Sequence, residues 1–378
     1  MRYALVLLMN LGMLAKPPAR FQQHPIATDL RGGYQVVAAD LNHDGKPDLI
    51  AVASGLPQLV WFENPGWQRH VLAGGRARMI NLAVADRGRD GISVMALAED
   101  FAMDPRKSVG RISLLTRQGD PTAPWSLTEI DRLPASHRLK WADADGTGRK
   151  VLINAPLAGP TVAPPEYKGK VSIVFYRPGE WKRELLSEAL EGVLHGIFVT
   201  DWDQDGREEL LTASFLGIHL FRLGKDGLWR ATELTKGSPA PWPKCGASEV
   251  AVGRLGRSRF LCSIEPWHGN QVVLYTQKGK AWRRQVLDDT LAEGHTIHAA
   301  DLNGDGRDEI IAGFRGKPFN VYIYSAADAK GTRWSRHTLD EGGMGAASCA
   351  VADLNGDGRP DLACISSTNL KWYENLGY

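Results

Sequence analysis

Asp353-Leu-Asn-Gly-Asp-Gly-Arg-Pro-Asp361 joins one short apolar run, Cys349-Ala-Val-Ala352, to another, Leu362-Ala-Cys-Ile365. The arrangement recurs at Asp40-Leu-Asn-His-Asp-Gly-Lys-Pro-Asp48, at Asp201-Trp-Asp-Gln-Asp-Gly-Arg-Glu-Glu209 and at Asp301-Leu-Asn-Gly-Asp-Gly-Arg-Asp-Glu309. Weaker copies begin at Asp86, at Asp143 and near Gly253, the last without its carboxylates. Laid end to end they make seven units, spaced by roughly 45 to 60 residues, the range of a four-stranded propeller blade.

Within the first unit, strands are expected at Gln35–Ala39, Leu49–Ser54, Gln58–Glu63 and Trp67–Leu72, each short and rich in β-branched or aromatic residues. The fourth strand carries a Trp followed by basic residues and a Leu, as in Trp67–Leu72, Trp181–Leu186, Trp282–Leu287 and Trp334–Leu339. Charges there suit an outer edge that must not pair with other sheets. The last unit runs out at its third strand, Leu370–Asn375, while Phe21–Ala27 precedes the first unit and resembles an outer strand. The expected fold is therefore all-β: a seven-bladed β-propeller whose N-terminal strand closes the last blade. Residues 20–378 should form one domain, with blades starting near positions 33, 79, 136, 194, 246, 294 and 346.

Composition agrees with an all-β chain. Hydrophobic residues make up 43% and charged residues 23%, too apolar for disorder, and 41 Gly with 12 Trp suit tight turns between short strands with large side chains. A formal net charge of +2 gives no global field for nucleic acid or anionic membrane, so neither is an expected partner. Met1-Arg2 and the apolar run Tyr3–Ala15 read as a signal peptide within residues 1–19, too short for a comfortable membrane span. Secretion or a periplasmic location follows, with no membrane span after its removal. Of the four cysteines, Cys349 and Cys364 fall on neighbouring strands, where either a disulfide or two buried thiols would fit; Cys245 and Cys262 show no CxxC spacing.

The acidic turns place oxygen ligands on alternate residues, as a hard cation such as calcium requires. The expected calcium ligands are Asp40, Asn42, Asp44 and Asp48, with the Lys46 carbonyl; Asp201, Asp203, Asp205 and Glu209; Asp301, Asn303, Asp305 and Glu309; and Asp353, Asn355, Asp357 and Asp361. An EF-hand is excluded, because its twelfth position needs a Glu and here holds Ala51, Thr212, Ala312 and Cys364 between strands. These segments resemble FG-GAP and VCBS-type repeats, calcium-loop propeller blades related to the integrin α-chain head. That resemblance implies fold and calcium, not activity.

The opposite face is expected to hold a ligand pocket at the mouth of the central channel. Counting back six residues from each loop reaches Tyr34, Ile80, His137, His195, Ala247, His295 and Ala347. His268, in Glu265-Pro-Trp-His-Gly-Asn270, lies in a second-to-third strand loop on the same face. Converging neutral imidazoles are usual ligands for zinc or a similar transition metal, and the bland alternative is a solvated channel lined by histidines. Arg31, Tyr34, Arg78, Lys140, Glu265 and Arg315 are nearby candidates for acid, base or anion-clamping work.

Leu194-His-Gly196, Glu265-Pro-Trp-His-Gly269 and Glu293-Gly-His-Thr-Ile-His298, set among calcium blades, resemble the propeller domain of the aldos-2-ulose dehydratase family. The resemblance implies a lyase acting on an oxidised sugar or keto-glycoside by β-elimination. A metal at His195, His268 and His295 would polarise the keto group, and His137, Lys140 or Tyr34, with Arg31 beside them, would manage the proton. The alternative is a non-catalytic module binding glycans or proteins on that face, helped by the Pro-rich segment Ala155–Tyr167. A carbohydrate or small-molecule ligand is expected in the first reading, and oligomeric state is left open.

Overall fold

The computed structural model describes residues 16–378 apart from 86–93, 118 and 329. The apolar N-terminal run and the weak loop at Asp86 lie outside the described residues. Seven four-stranded antiparallel sheets form the blades of a ring, a seven-bladed β-propeller. The innermost strands are Gly33–Ala39, Asn81–Ala85, Ser136–Ala142, Leu194–Thr200, Glu249–Leu255, Gly294–Ala300 and Ser348–Ala352, taken as blades one to seven. Phe21–Ala27 pairs antiparallel with Leu370–Asn375, from Phe21 opposite Asn375 to Ala27 opposite Leu370, and so completes blade seven. Among the described residues, no helix is long and apolar enough to cross a membrane.

Each blade's burial follows from its position between two others. The second strands Asp48–Ala53, Val94–Glu99, Glu209–Ser214 and Glu309–Phe314 are buried at every residue, because both faces pack against neighbouring sheets. That is why they read as continuous apolar runs rather than as an alternating pattern. The cores lie between blades: Ile50, Val52 and Trp61 of blade one meet Leu82, Met95 and Leu97 of blade two. Each such buried aliphatic side chain contributes roughly 1.5–3 kcal/mol. Outer strands such as Ser126–Arg132 and Trp229–Thr235 stay largely exposed and charged.

Trp67 and Trp181 sit in left-handed turns just before their outer strands, which begin at Gln68 and Glu184. Trp334 opens its strand and Trp282 lies one residue inside its own. Cys349 and Cys364 face each other across paired strands and form a disulfide, with a Cα separation of 4.1 Å. Cys262 is a buried free thiol and Cys245 a half-buried one.

Candidate functional site

The site is built from irregularities in the sheets. In blades one, three, four and six the innermost strand skips one residue of register at its start, between Gly33 and Gln35, Ser136 and Arg138, Leu194 and Gly196, and Gly294 and Thr296. The residues left out of the ladder are Tyr34, His137, His195 and His295. A bulge re-aims one side chain while the rest of the strand stays paired, and here four bulges turn four polar side chains towards one another across the channel. The ladders in blades two, five and seven begin without a skip, at Asn81, Glu249 and Ser348, and Ile80, Ala247 and Ala347 bring no polar group.

His268 arrives from a loop. Its backbone is left-handed, at φ 46°, a conformation that non-glycine residues adopt rarely and that recurs at functional sites. Its ring packs on Trp267, with centroids 4.7 Å apart. His268 Nε2 lies 3.2 Å from His195 Nε2, and one ligand atom from each of His195, His268 and His295 falls within 4.8 Å of the others. His137 stands beside them, its ring centroid 4.9 Å from that of His195. Tyr34 donates its hydroxyl proton to His137 Nε2 at 2.8 Å, and its ring meets His295 edge-on at 5.1 Å.

A second layer of contacts orients these rings. His195 Nδ1 contacts Glu249 Oε1 at 2.9 Å and the Ser248 carbonyl at 3.2 Å, and His295 Nδ1 donates to the Ala347 carbonyl at 2.5 Å. Protons held on both Nδ1 atoms leave both Nε2 lone pairs facing the cluster, and His295 Nε2 is buried without a partner among the described residues. Arg138 reaches across the channel, donating to Glu249 at 2.8 Å and lying 3.4 Å from the Tyr34 hydroxyl. Gly196 makes room for this layer, since a Cβ there would meet Glu249 Oε2 at 2.7 Å.

Burial pushes the pKa values of His137, His195, His268 and His295 down, and the nearby Arg138 and Arg315 guanidiniums add to the shift. The histidines are therefore neutral at neutral pH, the form that binds metal. Burial alone would raise Glu249, but Arg138 and His195 outweigh it and hold the carboxyl below its usual range.

The donor set fits a zinc-like ion: three neutral imidazoles, two with their lone pairs already aimed. His268 must adjust, because Arg315 donates to its Nδ1 at 3.3 Å, which leaves the proton on Nε2. Ligation by Nε2 needs that proton on Nδ1 and Arg315 turned aside.

Lys140 opens into the channel, a cavity of ≈ 670 Å³ that also reaches Tyr34, Arg138, Glu249, His295 and His298. Its side chain is solvent-accessible there, yet burial within the ring, and then Arg138, lower its pKa. It makes no hydrogen bond to the cluster among the described residues. Three expected participants stand apart. Arg31 is exposed, and its described hydrogen bonds are made by its backbone. Arg78 points to Asp100 at 3.5 Å and is half exposed. Glu265 is fully buried and held by Tyr275 Oη at 2.5 Å and Arg284 Nε at 2.9 Å, so it braces its own blade.

Sequence reading missed Arg138 and Glu249. Arg138 directly follows a bulge residue, but Glu249 belongs to a blade whose innermost ladder has no bulge and whose turn lacks the carboxylates, so no repeat position marks it. The Pro-rich segment turns inward: Leu157, Ala158, Val162 and Tyr167 pack with Val193 and Phe215, forming a wall near Trp267.

On the other rim, the first residue of each full loop caps the turn. Asp40 accepts from the Asp44 and Gly45 amides, as Asp201, Asp301 and Asp353 do in their loops. The ninth residue is buried: Asp48 accepts from Leu41 and Asn64, and Asp361 from Leu354 and Asn375. Burial, followed by crowding from Asp44 and Asp40, raises Asp48 to about 6, and burial with Asp305 and Asp301 nearby raises Glu309 to about 7. Asp201, Asp203 and Glu209 gather three carboxylates within 4.8 Å. Crowded, partly desolvated carboxylates of this kind fit a divalent cation, whose charge relieves the repulsion. Arg207, Arg307 and Arg359 pair with the fifth-position Asp205, Asp305 and Asp357, and a cation would compete with those pairs.

Comparison with known proteins places these features among relatives. Residues 32–58 match the FG-GAP repeat, and residues 301–364 match an FG-GAP-like repeat. Residues 109–278 match the β-propeller domain of aldos-2-ulose dehydratase, a span that includes His137, His195, Glu249 and His268. The chain is 27% identical over 332 residues to aldos-2-ulose dehydratase of Phanerodontia chrysosporium, covering 77% of this chain and 36% of that protein. It thus spans little more than a third of that relative's length. Among solved structures, a candidate 6-phosphogluconolactonase from Bacteroides fragilis aligns at TM-score 0.53 and 14% identity, over 87% of this chain and 86% of the other. The Dos1 propeller aligns at TM-score 0.56 and 10% identity, over 94% of each. Those two likenesses concern the fold alone.

Proposed function

We propose that the histidine rim is the active centre of a metal-dependent lyase that dehydrates an oxidised sugar or keto-glycoside by β-elimination. One observation carries the reading: His195, His268 and His295 converge beside a hydrogen-bonded Tyr34–His137 pair, and Tyr34 and His295 also line the channel cavity of ≈ 670 Å³. A zinc-like ion held by the three histidines would supply Lewis acidity towards a keto oxygen. Tyr34 passes its phenolic proton to neutral His137 and takes the proton on the carbon next to the keto group. His137 returns a proton to the hydroxyl leaving the following carbon, which departs as water, so the products are the unsaturated keto-sugar and one water. Arg138, 3.4 Å from the Tyr34 oxygen, stabilises the negative charge that forms there. Lys140 faces the channel, where it can bind or protonate a substrate oxygen.

Calcium at the acidic turns would brace the opposite rim, and the Cys349–Cys364 disulfide is in keeping with a secreted or periplasmic protein. The sugar-related relative supports the substrate class. The test is His195→Ala, assayed against a panel of oxidised sugars together with metal analysis of the purified protein. Turnover should fall by at least about a hundredfold and the transition-metal content should drop, while the fold is retained. Full activity in that variant would overturn the mechanism.

A further inference from the structure

At one of the seven equivalent turns the chemistry is inverted. Where the other blades carry carboxylates, blade five has Gly253-Arg-Leu-Gly-Arg-Ser-Arg259. The turn keeps its place without a cation, because its backbone is clipped to the acidic turn of blade six: Gly256 N donates to the Gly306 carbonyl at 3.0 Å, and Asp308 N to the Arg254 carbonyl at 2.7 Å. The side chains of Arg254 and Arg257 are thereby left free for another use.

They border a cavity of ≈ 900 Å³ between blades four and five, on the acidic-loop rim and away from the histidines. Arg222, Arg254, Arg257, Arg259 and Lys330 line it, and among the described residues the one carboxylate in its wall is Asp203. The side chains of Arg254, Arg257 and Lys330 make no hydrogen bond or ion pair among the described residues. Arg259 lies over the Trp202 ring at 4.2 Å and donates to the Trp202 carbonyl, which fixes its plane. Burial, and then the like charge of Arg254, lower its pKa. Arg222 stands 3.6 Å from Asp203. If the turn of blade four holds a cation, Asp203 is neutralised and the cavity becomes still more positive.

We propose that this cavity binds an anionic saccharide through its carboxylate or sulfate groups. Guanidinium forks match both oxyanions, two N–H groups to two oxygens. Gln204, Ser258, Thr276 and Gln277 supply neutral donors and acceptors for hydroxyls around them. Nucleic acid is the weaker match. The Trp202 face is taken by Arg259, and with a net charge of +2 the chain carries no surplus to draw in a long polyanion. This site is separate from the histidine centre and does not depend on the lyase reading.

Calorimetric titration in calcium-containing, low-salt buffer tests it, with tetragalacturonate, a sulfated tetrasaccharide, neutral cellotetraose and a single-stranded oligonucleotide as probes. Wild-type protein should bind one or both acidic tetrasaccharides and not cellotetraose, and the preferred probe distinguishes carboxylate from sulfate. The double variant Arg254→Ser/Arg257→Ser should bind about tenfold more weakly or worse, at unchanged melting temperature. Lys330→Gln, at a separate exposed position, should weaken binding in the same direction if the double variant folds poorly. Failure to bind either acidic tetrasaccharide, unchanged affinity in both variants, or tighter binding of the oligonucleotide would overturn the proposal.

Discussion

The two rims of the ring are made from the same strands, yet they follow opposite rules. On the acidic rim, blades one, four, six and seven repeat one turn almost residue for residue, each with a capping Asp and a buried ninth carboxyl. On the histidine rim the blades contribute unequally: blade one gives Tyr34, blade three His137 and Arg138, blade four His195, blade five Glu249 and His268, and blade six His295 and Arg315, while Ile80 and Ala347 of blades two and seven bring no polar group. Repetition suits bracing, since every blade faces the same mechanical problem. Gathering different groups around one point requires a break in the sevenfold pattern, and that break lies on the histidine rim.

The largest expected effect separates the rims by metal. A calcium-selective chelator should destabilise the protein by about 2.7 to 4.1 kcal/mol for each occupied turn if calcium was present at 100 to 1,000 times its Kd, read as a drop in melting temperature that added calcium reverses. Transition-metal content at the histidines should not change. Equal loss of both metals, or no shift at all, would break the division of labour between the rims.

Acidification should act on the two rims with opposite sign. His298 has its pKa pushed down to about 4, first by burial and then by Lys140, from its ordinary 6.5. Its neutral form favours folding, so that stability is fully present above pH 6.5 and is lost as the pH falls towards 4, about 3 kcal/mol in all. Glu309, raised by burial from 4.5 to about 7, behaves in reverse: without a cation its folded form prefers a proton, so stability is gained as the pH falls from 7 to 4.5. Calcium-loaded protein should therefore weaken markedly between pH 6.5 and 4, and calcium-free protein should show a much flatter profile. Melting curves across that range with and without calcium decide the matter, and parallel profiles would show that the acidic turns do not bind the ion.

Glu249→Gln sharpens the comparison within the histidine rim. The amide keeps the size of the side chain but loses the charge that holds the His195 Nδ1 proton 2.9 Å away and anchors Arg138. Loss of such an outer partner typically weakens metal affinity 10- to 100-fold. The change should appear as a higher zinc dissociation constant with calcium-dependent melting unaltered.

The difference between the rims also sets how much could be read from the chain. The ring, its seven blades and its closure by Phe21–Ala27 were legible because turns, apolar runs and outer-strand tryptophans recur, and a repeat declares its own register. The positions of Tyr34, His137, His195 and His295 were legible for the same reason, by counting from the turns, although the bulges that aim them leave no mark of their own in the sequence. Glu249 was hidden because its blade has lost the acidic residues of the turn and the bulge that mark the equivalent positions elsewhere. Glu265 misled, since a Glu next to a Pro-Trp-His loop looks available, and only packing shows that Tyr275 and Arg284 occupy it.

Arg31 is the subtlest case and carries the smallest expected effect. Its place three residues before Tyr34 puts it in a blade-opening loop on the histidine rim, so distance along the chain made it a candidate. The backbone there is fixed by Gly55 N donating to the Arg31 carbonyl at 3.1 Å and Gly33 N to the Leu30 carbonyl at 2.9 Å, while the side chain lies exposed. Arg315, by contrast, reaches His268 at 3.3 Å. Arg31→Ala should change kcat/KM by less than about twofold, an exposed charge outside contact range contributing well under 1 kcal/mol. Arg315→Ala should shift both the pH profile and KM, because it removes the donor on the His268 ring. A large loss from Arg31→Ala would mean that the blade-opening loop closes over the bound ligand, and would move the boundary of the site outward by one turn of chain.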